Sequence, residues 1–323
     1  MPGRWADLAE QSIVHALVAA LVVEALLRVW RIESPRDRLI LRLMALLQPL
    51  LVTPVLVFLP WRSEDEFHDS WTLFSGRHWE ELRLLGVSLF DLFVLAMASI
   101  GLLLFLLDLW PLLRGRRRAR GAPELPTAAQ EAEVAELARG LGLHPAPPLR
   151  LLPLDAPALF CAGIRRPTIL VSHGALALLD GAERRAALAH ELAHLAGRDP
   201  LVSWLLMGVR ALLFFNPVAQ VLARAMARES ERRADDSGSS VSGDRLALAS
   251  ALLRLHRASG GGPRPPLPFG ASLEEPLRRA RSRDVELRCR RLLDGPAPAR
   301  SPVAGLRVAL VALAVPILLV FVT

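Results

Sequence analysis

Residues 187–200 read ALAHELAHLAGRDP, and this stretch decides the fold. Alanine and leucine dominate it and nothing breaks it before Gly197, so a helix is expected up to that glycine. Residues four apart on a helix share a face. His190 and His194 therefore present their rings side by side, within reach of one cation, while Glu191 projects toward whatever that cation holds. This is the His-Glu-x-x-His geometry of a zinc hydrolase. The plain alternative is the polar stripe of an amphipathic helix. A hydrolytic zinc takes three protein ligands and keeps one position open for water, so a further ligand should follow downstream.

Residues 228–238, RESERRADDSG, offer it. Glu231 and Asp235 are again four apart on an expected helix: one carboxylate can bind zinc, and a second can accept a hydrogen bond from a ligand imidazole. Read alone, the stretch is equally a solvated face on which acids pair with Arg228, Arg232 and Arg233. Downstream of His190 and His194 it favours a joint site for one Zn2+ per chain.

Composition says where such a site lives. Hydrophobic residues make up 52% of the chain and the mean hydropathy is +0.34, too apolar for an ordinary soluble domain. The excess lies in four blocks, Ile13 to Trp30, Leu39 to Pro60, Leu84 to Leu113 and Val303 to Val322. Each approaches or exceeds the length that crosses a hydrocarbon core about 30 Å thick, so four transmembrane helices are expected. The first is not a convincing cleavable signal, since Asp7 and Glu10 precede it and RVWRIESPRDR follows without a small-residue cleavage site.

Charge sets the expected orientation. Arg28, Arg31, Arg36, Arg38 and Arg42 crowd the first connection, and Arg114, Arg116, Arg117, Arg118 and Arg120 follow the third block, which places those ends in the cytoplasm. Glu64, Asp65, Glu66, Asp69, Glu80 and Glu81 suit an external loop. The expected plan is three transmembrane helices over 1–113 with an external loop at about 61–83, a cytoplasmic metallopeptidase domain over 114–300, and a last transmembrane helix over 301–323, in a bacterial-type plasma membrane. The arginine run reads as a stop-transfer anchor on anionic lipid, so the bilayer is an expected partner and direct nucleic-acid binding is not. The pI near 11.1 comes from arginine alone, for the chain has no lysine. Cys161 and Cys289 fall in the cytoplasmic region and read as packing residues. Asp108 and Arg307 read as interfacial, while Glu24 and Asp91 stay open between an interface position and an intramembrane pair. The external loop, with Trp61, Trp71, Trp79, His68 and His78, is either a signal-receiving surface or a connection with interfacial tryptophans.

Within the cytoplasmic region, Thr127 to Gly140 reads as a helix with a threonine cap and a glycine stop. A small antiparallel sheet is expected next, with strands near Leu149 to Leu152, Leu159 to Ala162 and Thr168 to Ser172. An exposed edge of it would hold an extended peptide as an added strand. Between the two halves of the site, Leu201 to Phe215 is short for a full crossing and is interrupted by Gly208 and Arg210. It reads as a membrane-associated or re-entrant helix at about 201–215, started by Asp199-Pro200 and ended by Asn216-Pro217, or else as a buried core helix. Residues 259–270 and 294–302 read as linkers.

HELAH (190–194), preceded by ILVSHGALALLDGAERRAALA (169–189) and followed by FFNPV (214–218) and ESERRADD (229–236), resembles the membrane metallopeptidases of the gluzincin class. Two groups fit: the peptidase domain of the BlaR and MecR type antibiotic sensor-transducers, with the same four-span plan, and the HtpX and CAAX prenyl protease (Ste24) group, with the same ligand order. The resemblance implies a mainly α membrane protein with an α+β zincin-like metallopeptidase domain. It makes His190, His194 and Glu231 the zinc ligands, Glu191 the general base and Asp235 the partner of a ligand histidine. No penicillin-binding domain follows Thr323, so beta-lactam sensing is not expected. The Thr-His-Pro stretch of the HtpX group is missing, which favours the sensor-type branch. The chain has no tyrosine, so an oxyanion would fall to His256 or Arg288.

The function implied is a zinc endopeptidase acting on a peptide or protein at the cytoplasmic membrane face, regulatory in role, cleaving a cytoplasmic transcriptional repressor or itself. The alternatives are a membrane quality-control protease of the HtpX type and a catalytically silent receptor scaffold.

Overall fold

The computed structural model describes residues 2–51, 54, 83–84, 86–115, 124–163, 166–260, 271–295 and 304–320. In chain order the elements are α1 (Pro2–Val29), α2 (Pro35–Leu51), the short strands β1 (Arg83–Leu84) and β2 (Val87–Ser88), α3 (Leu89–Gly115), α4 (Ala128–Gly140), β3 (Leu149–Leu152), β4 (Leu159–Ala162), β5 (Thr168–Ser172), α5 (His173–Leu178), α6 (Gly181–Ala196), α7 (Asp199–Leu212), α8 (Pro217–Ser242), α9 (Arg245–Gly260), α10 (Ala271–Asp294) and α11 (Ala304–Val320). The chain divides into two compact units, one of Met1–Arg116, Trp204–Glu229 and Pro298–Thr323, the other of Arg117–Ser203 and Ser230–Ala297.

The first unit is built of apolar helices. On α1, Ile13, Ala16, Ala19, Val23 and Leu27 recur every three or four residues and are buried, while Leu17 and Leu21 on the other side are exposed, the one-sided burial that helical periodicity dictates. Among the described residues, Gln11–Val29 is the helix long and apolar enough to cross a membrane; Asp91–Leu107 and Gly305–Val315 are shorter apolar stretches. The third expected helix begins later than its apolar block, because β1 and β2 first pair antiparallel, with Gly86 before β2 at a φ of 84° that suits glycine. Most of residues 52–60 and the loop 61–82 lie outside the described residues. Asn216 ends the α7 segment and caps α8, its Oδ1 accepting from the Val218 and Ala219 N–H groups at 3.0 and 3.2 Å.

The second unit centres on α6. Asp180 and Glu183 form a capping box at its start. Leu188, Ala189 and Leu192 share a core with Val134 and Leu137 of α4 and with Leu149 and Ile169 of the sheet, while Ala186 and Ala187 meet α9. The three strands stand where the sequence places them, but the sheet is mixed rather than antiparallel. Its order is β3-β5-β4, with β5 antiparallel to β4 and parallel to β3. The reason is topological: the chain reverses direction at each connection, and β5 slots between its two predecessors, so it runs the same way as β3. Glu124 bridges to Leu151 on the outer side of β3. The outer edge of β4 carries no paired strand among the described residues.

Candidate metal centre

The site lies within the second unit, where α8 crosses α6 closely. A Cβ at Gly238 would sit 2.8 Å from His190 Cα, so only glycine permits this approach. About one turn earlier on α8, Asp235 meets His190; a further turn back, Glu231 meets both imidazoles. The two rings are edge-on, with centroids 4.7 Å apart, and their Nε2 atoms are 3.1 Å apart. Glu231 Oε2 lies 3.6 Å from His190 Nε2, and Oε1 lies 3.7 Å from His194 Nε2. Tetrahedral zinc with bonds of about 2.0–2.1 Å sets its ligand atoms about 3.3 Å apart, so these three donors have the spacing that zinc requires.

Both Nδ1 atoms face carboxylates: His194 Nδ1 is 2.7 Å from Asp199 Oδ2, and His190 Nδ1 is 3.1 Å from Asp235 Oδ1. A proton on His194 Nδ1 satisfies its contact with Asp199, and with the His190 Nδ1 turned toward Asp235 the two Nε2 lone pairs converge on one point, an arrangement that suits a cation. The structure places Asp235 beside the His190 ring. The Asp199 contact was missed, its residue having been read only as part of a helix start. Arg198 adopts the left-handed φ of 57°, which turns Asp199 back toward His194. Asp199 also accepts from Ser230 Oγ at 2.5 Å and pairs with Arg233, and a Cβ at Gly197 would collide with that guanidinium.

Arg288 of α10 is the second residue the sequence saw incompletely. Of the two oxyanion candidates, it is the one lining the site. Its Nε and Nη2 grip Asp235 at 2.8 and 2.6 Å, and its Nη1 reaches Glu231 Oε2 at 2.8 Å. This bidentate pull turns the Asp235 carboxylate, so the buried His190 Nδ1 lacks a well-aligned hydrogen bond despite its proximity.

Electrostatics follow from burial opposed by charge. Burial would lower the His190 pKa, but the carboxylates of Asp235 and Glu231 beside the ring outweigh it and raise the value to about 9. Burial would raise Glu231, yet the bond with His190 and the Arg288 and histidine charges bring it down to about 2. Asp235 is likewise held at about 2, against burial, by Arg288 and His190. Glu191 goes the other way, because burial raises it more than the two histidines lower it. Its Oε2 accepts from the Cys161 N–H of β4 at 3.2 Å, which sets the carboxylate beside the unpaired sheet edge. The Cys161 thiol is pushed up by burial and by Glu191, and Cys289 is buried with its Sγ 3.6 Å from Ala249 O, so both cysteines serve packing. A cavity of 280 Å³ opens over the site, with Leu248, Leu252 and Leu255 of α9 and Leu159 of β4 forming its apolar wall.

Orienting carboxylates of this kind tune an imidazole ligand by about 10- to 100-fold. Asp199→Asn and Asp235→Asn are each expected to weaken zinc binding by that factor in competition with a chromophoric chelator. Values equal to the parent's in both would mean that these contacts do not orient the rings.

A profile of the BlaR1 peptidase M56 family matches residues 86–265, a stretch that contains His190, Glu191, His194 and Glu231. The chain is 33% identical over 172 residues to a protease HtpX homolog of Pseudarthrobacter chlorophenolicus, covering 43% of this chain and 59% of the relative. It is 34% identical over 165 residues to the homolog of Paraburkholderia phytofirmans, covering 41% and 57%. With the Burkholderia multivorans homolog the figures are 32% over 176 residues, 44% and 59%. The matches thus span 57 to 59% of the length of these curated relatives.

Proposed function

Because the chain belongs to the BlaR1 peptidase M56 family, we propose that it is a membrane-embedded zinc endopeptidase whose single Zn2+ is held by His190, His194 and Glu231. The observation that carries this reading is the convergence of two Nε2 atoms and one carboxylate, 3.1 to 3.7 Å apart. Bound there, zinc would supply Lewis-acid polarisation of the peptide carbonyl and a water acidic enough to attack near neutral pH. Glu191, its basicity raised by burial, takes the proton of the attacking water and returns it to the leaving amine. A substrate running along the open edge of β4 passes directly beside Glu191. The leucine wall accepts an apolar side chain. Arg288 lines the cavity over the site and is the cation available to stabilise negative charge developing there.

Membrane embedding is supported by the large apolar side chains exposed on the first unit: Leu17 and Leu21 on α1, Leu95 and Leu103 on α3, Leu306 and Leu313 on α11. Lipid is the solvent in which such surfaces are stable. On α7, Leu201, Trp204, Leu205 and Leu212 form one exposed stripe, which supports a membrane-associated helix. With four transmembrane helices and the arginine-rich connections inside, the metal centre acts at the cytoplasmic face. Its role is regulatory, through cleavage of a transcriptional repressor or of the chain itself. A housekeeping role in clearing damaged membrane proteins is the second reading, favoured by the resemblance to HtpX homologs.

The test is zinc uptake by the chelator-stripped full chain in detergent, followed by calorimetry and a casein assay. Uptake of one Zn2+ per chain with return of cleavage is expected; no stoichiometric uptake would overturn the reading. The sign of the pH dependence follows from His190. With a pKa raised to about 9, the metal-free imidazole carries a proton at pH 7.5 that must leave before Nε2 can bind zinc. Binding therefore releases a proton, and apparent affinity rises about tenfold per pH unit up to about 9 and then levels. Titrations in buffers of different ionisation heat measure the release directly.

A further inference from the structure

Seven residues before His190, the start of α6 is tied to α9 by a polar contact that neither the three donors nor Glu191 touches. Glu183 closes the capping box of α6, its Oε2 accepting from the Asp180 N–H at 3.0 Å. A glutamine, which carries no charge, closes such a box equally well. Yet Glu183 is 4% exposed, and its carboxylate takes two further hydrogen bonds from α9. Ser250 Oγ donates to Oε1 at 2.6 Å, and Arg254 Nη1 donates to Oε2 at 2.9 Å. The same Nη1 donates to Leu178 O at the end of α5, also at 2.9 Å. A buried carboxylate is costly without such partners, so its charge answers to α9 rather than to the cap. All three helices belong to the second unit.

We propose that Glu183, Ser250 and Arg254 form a specificity-setting latch, which fixes how closely the leucine wall of α9 stands over the metal centre and so how large an apolar side chain a substrate can seat there. This rests on the metal-centre reading and deepens it. Leu248, Leu252 and Leu255 follow at helical spacings of four and three and line the cavity together with Ala251. Leu255 follows Arg254 by about 100° of helical turn, so the face that grips Glu183 adjoins the face that lines the cavity. α9 runs unbroken from Arg245 to Gly260, with neither proline nor glycine before its last residue. A displacement at Ser250 and Arg254 therefore carries to the leucines beside them. On α6, Glu183, Ala187 and His190 succeed one another on one face at the same spacings, so the latch is anchored to the helix that bears both histidines. Beneath it, Leu179, Ala187 and Ala251 are buried together, with Leu255 packed against them. Apolar packing of this kind is non-directional, whereas a carboxylate bonded on both oxygens sets the position of its partner.

The test uses the full chain in detergent, with casein fragments sequenced by mass spectrometry and zinc content read by atomic absorption. The parent is expected to cut casein beside large apolar residues. A peptide copied from its strongest site, set against one with that residue replaced by alanine, gives the selectivity, expected at about tenfold or more for a pocket with an apolar wall. Ser250→Ala, Arg254→Gln and Glu183→Gln should each lower that ratio by roughly threefold to tenfold, since a displaced wall loses part of its contact with the side chain. The loss should lie in KM for the apolar peptide, while kcat, cleavage of the alanine peptide and zinc content stay at the parent's values. Arg254→Lys, which keeps the charge, recovers part of it. Arg290→Gln, which removes an exposed pair with Glu286 on α10, leaves the selectivity unchanged. Circular dichroism reports folding. Should the Glu183 and Arg254 variants fail to fold, Ser250→Ala decides, because alanine suits a helix better than serine and Arg254 still holds Glu183. Folded variants with the parent's selectivity overturn the latch alone, as do variants that lose kcat equally on both peptides. A parent that cuts casein without preference for apolar neighbours overturns the leucine wall and the latch together. A parent that takes up no zinc or leaves casein uncut overturns the metal-centre reading as well.

Discussion

Glu191→Gln is expected to reduce peptide cleavage by about 10²- to 10⁴-fold while leaving about one Zn2+ per chain. The two effects separate because Glu191 is not one of the three converging donors. Its carboxylate turns to the Cys161 N–H, beside the open edge of β4. Glutamine has the same shape, and its carbonyl oxygen still accepts that hydrogen bond, so α6 and the sheet keep their spacing. Only the basicity is lost, and that basicity is what the buried position of Glu191 strengthens. Casein cleavage measured beside zinc content by atomic absorption checks both halves. Retained cleavage would remove Glu191 from the reaction, and lost zinc would make it a ligand.

Glu231→Gln has the opposite signature. Its carboxylate, with a pKa held at about 2, is ionised at any working pH and is the one anion among the three donors. An amide offers a weaker neutral oxygen, and the change also leaves Arg288 with Asp235 as its remaining carboxylate partner in the site. Zinc affinity should fall by more than the roughly 10- to 100-fold that an orienting contact is worth, and cleavage should fall with it. His194→Ala is expected to behave alike. A Glu231→Gln chain with parental zinc content and full activity would show that the third ligand lies elsewhere.

What the sequence made legible was local. The helix through His190 and His194 ends before Gly197 as its composition demands, the Thr127 cap closes a capping box with Gln130, and the three strands begin and end where the apolar runs do. The juxtaposition of His190, His194 and Glu231 was readable because helical spacing of four puts the two histidines on one face, and family resemblance pointed to Glu231 rather than Asp235 beside them. What escaped depended on long-range or unusual geometry. Periodicity reveals a strand but not its neighbour, so the parallel pairing of β3 with β5 was missed. Asp199 was hidden by the left-handed turn at Arg198, which no pattern of side chains announces. Arg288 meets Asp235 across 53 residues of sequence, and Arg42 meets Glu229 across 187. Glu24, left open between interface and pair, found its partner in Arg42.

The central claim, one zinc held by two imidazoles and a carboxylate, is tested most directly by zinc K-edge X-ray absorption on the purified full chain in detergent. The expected result is a stoichiometric zinc with two imidazole nitrogens at about 2.0–2.1 Å, oxygen completing the shell and no sulfur near 2.3 Å. The nitrogen signal should fall to one imidazole in His194→Ala at saturating zinc. A sulfur shell, or a parental spectrum in His194→Ala, would place the metal away from His190, His194 and Glu231 and contradict the account.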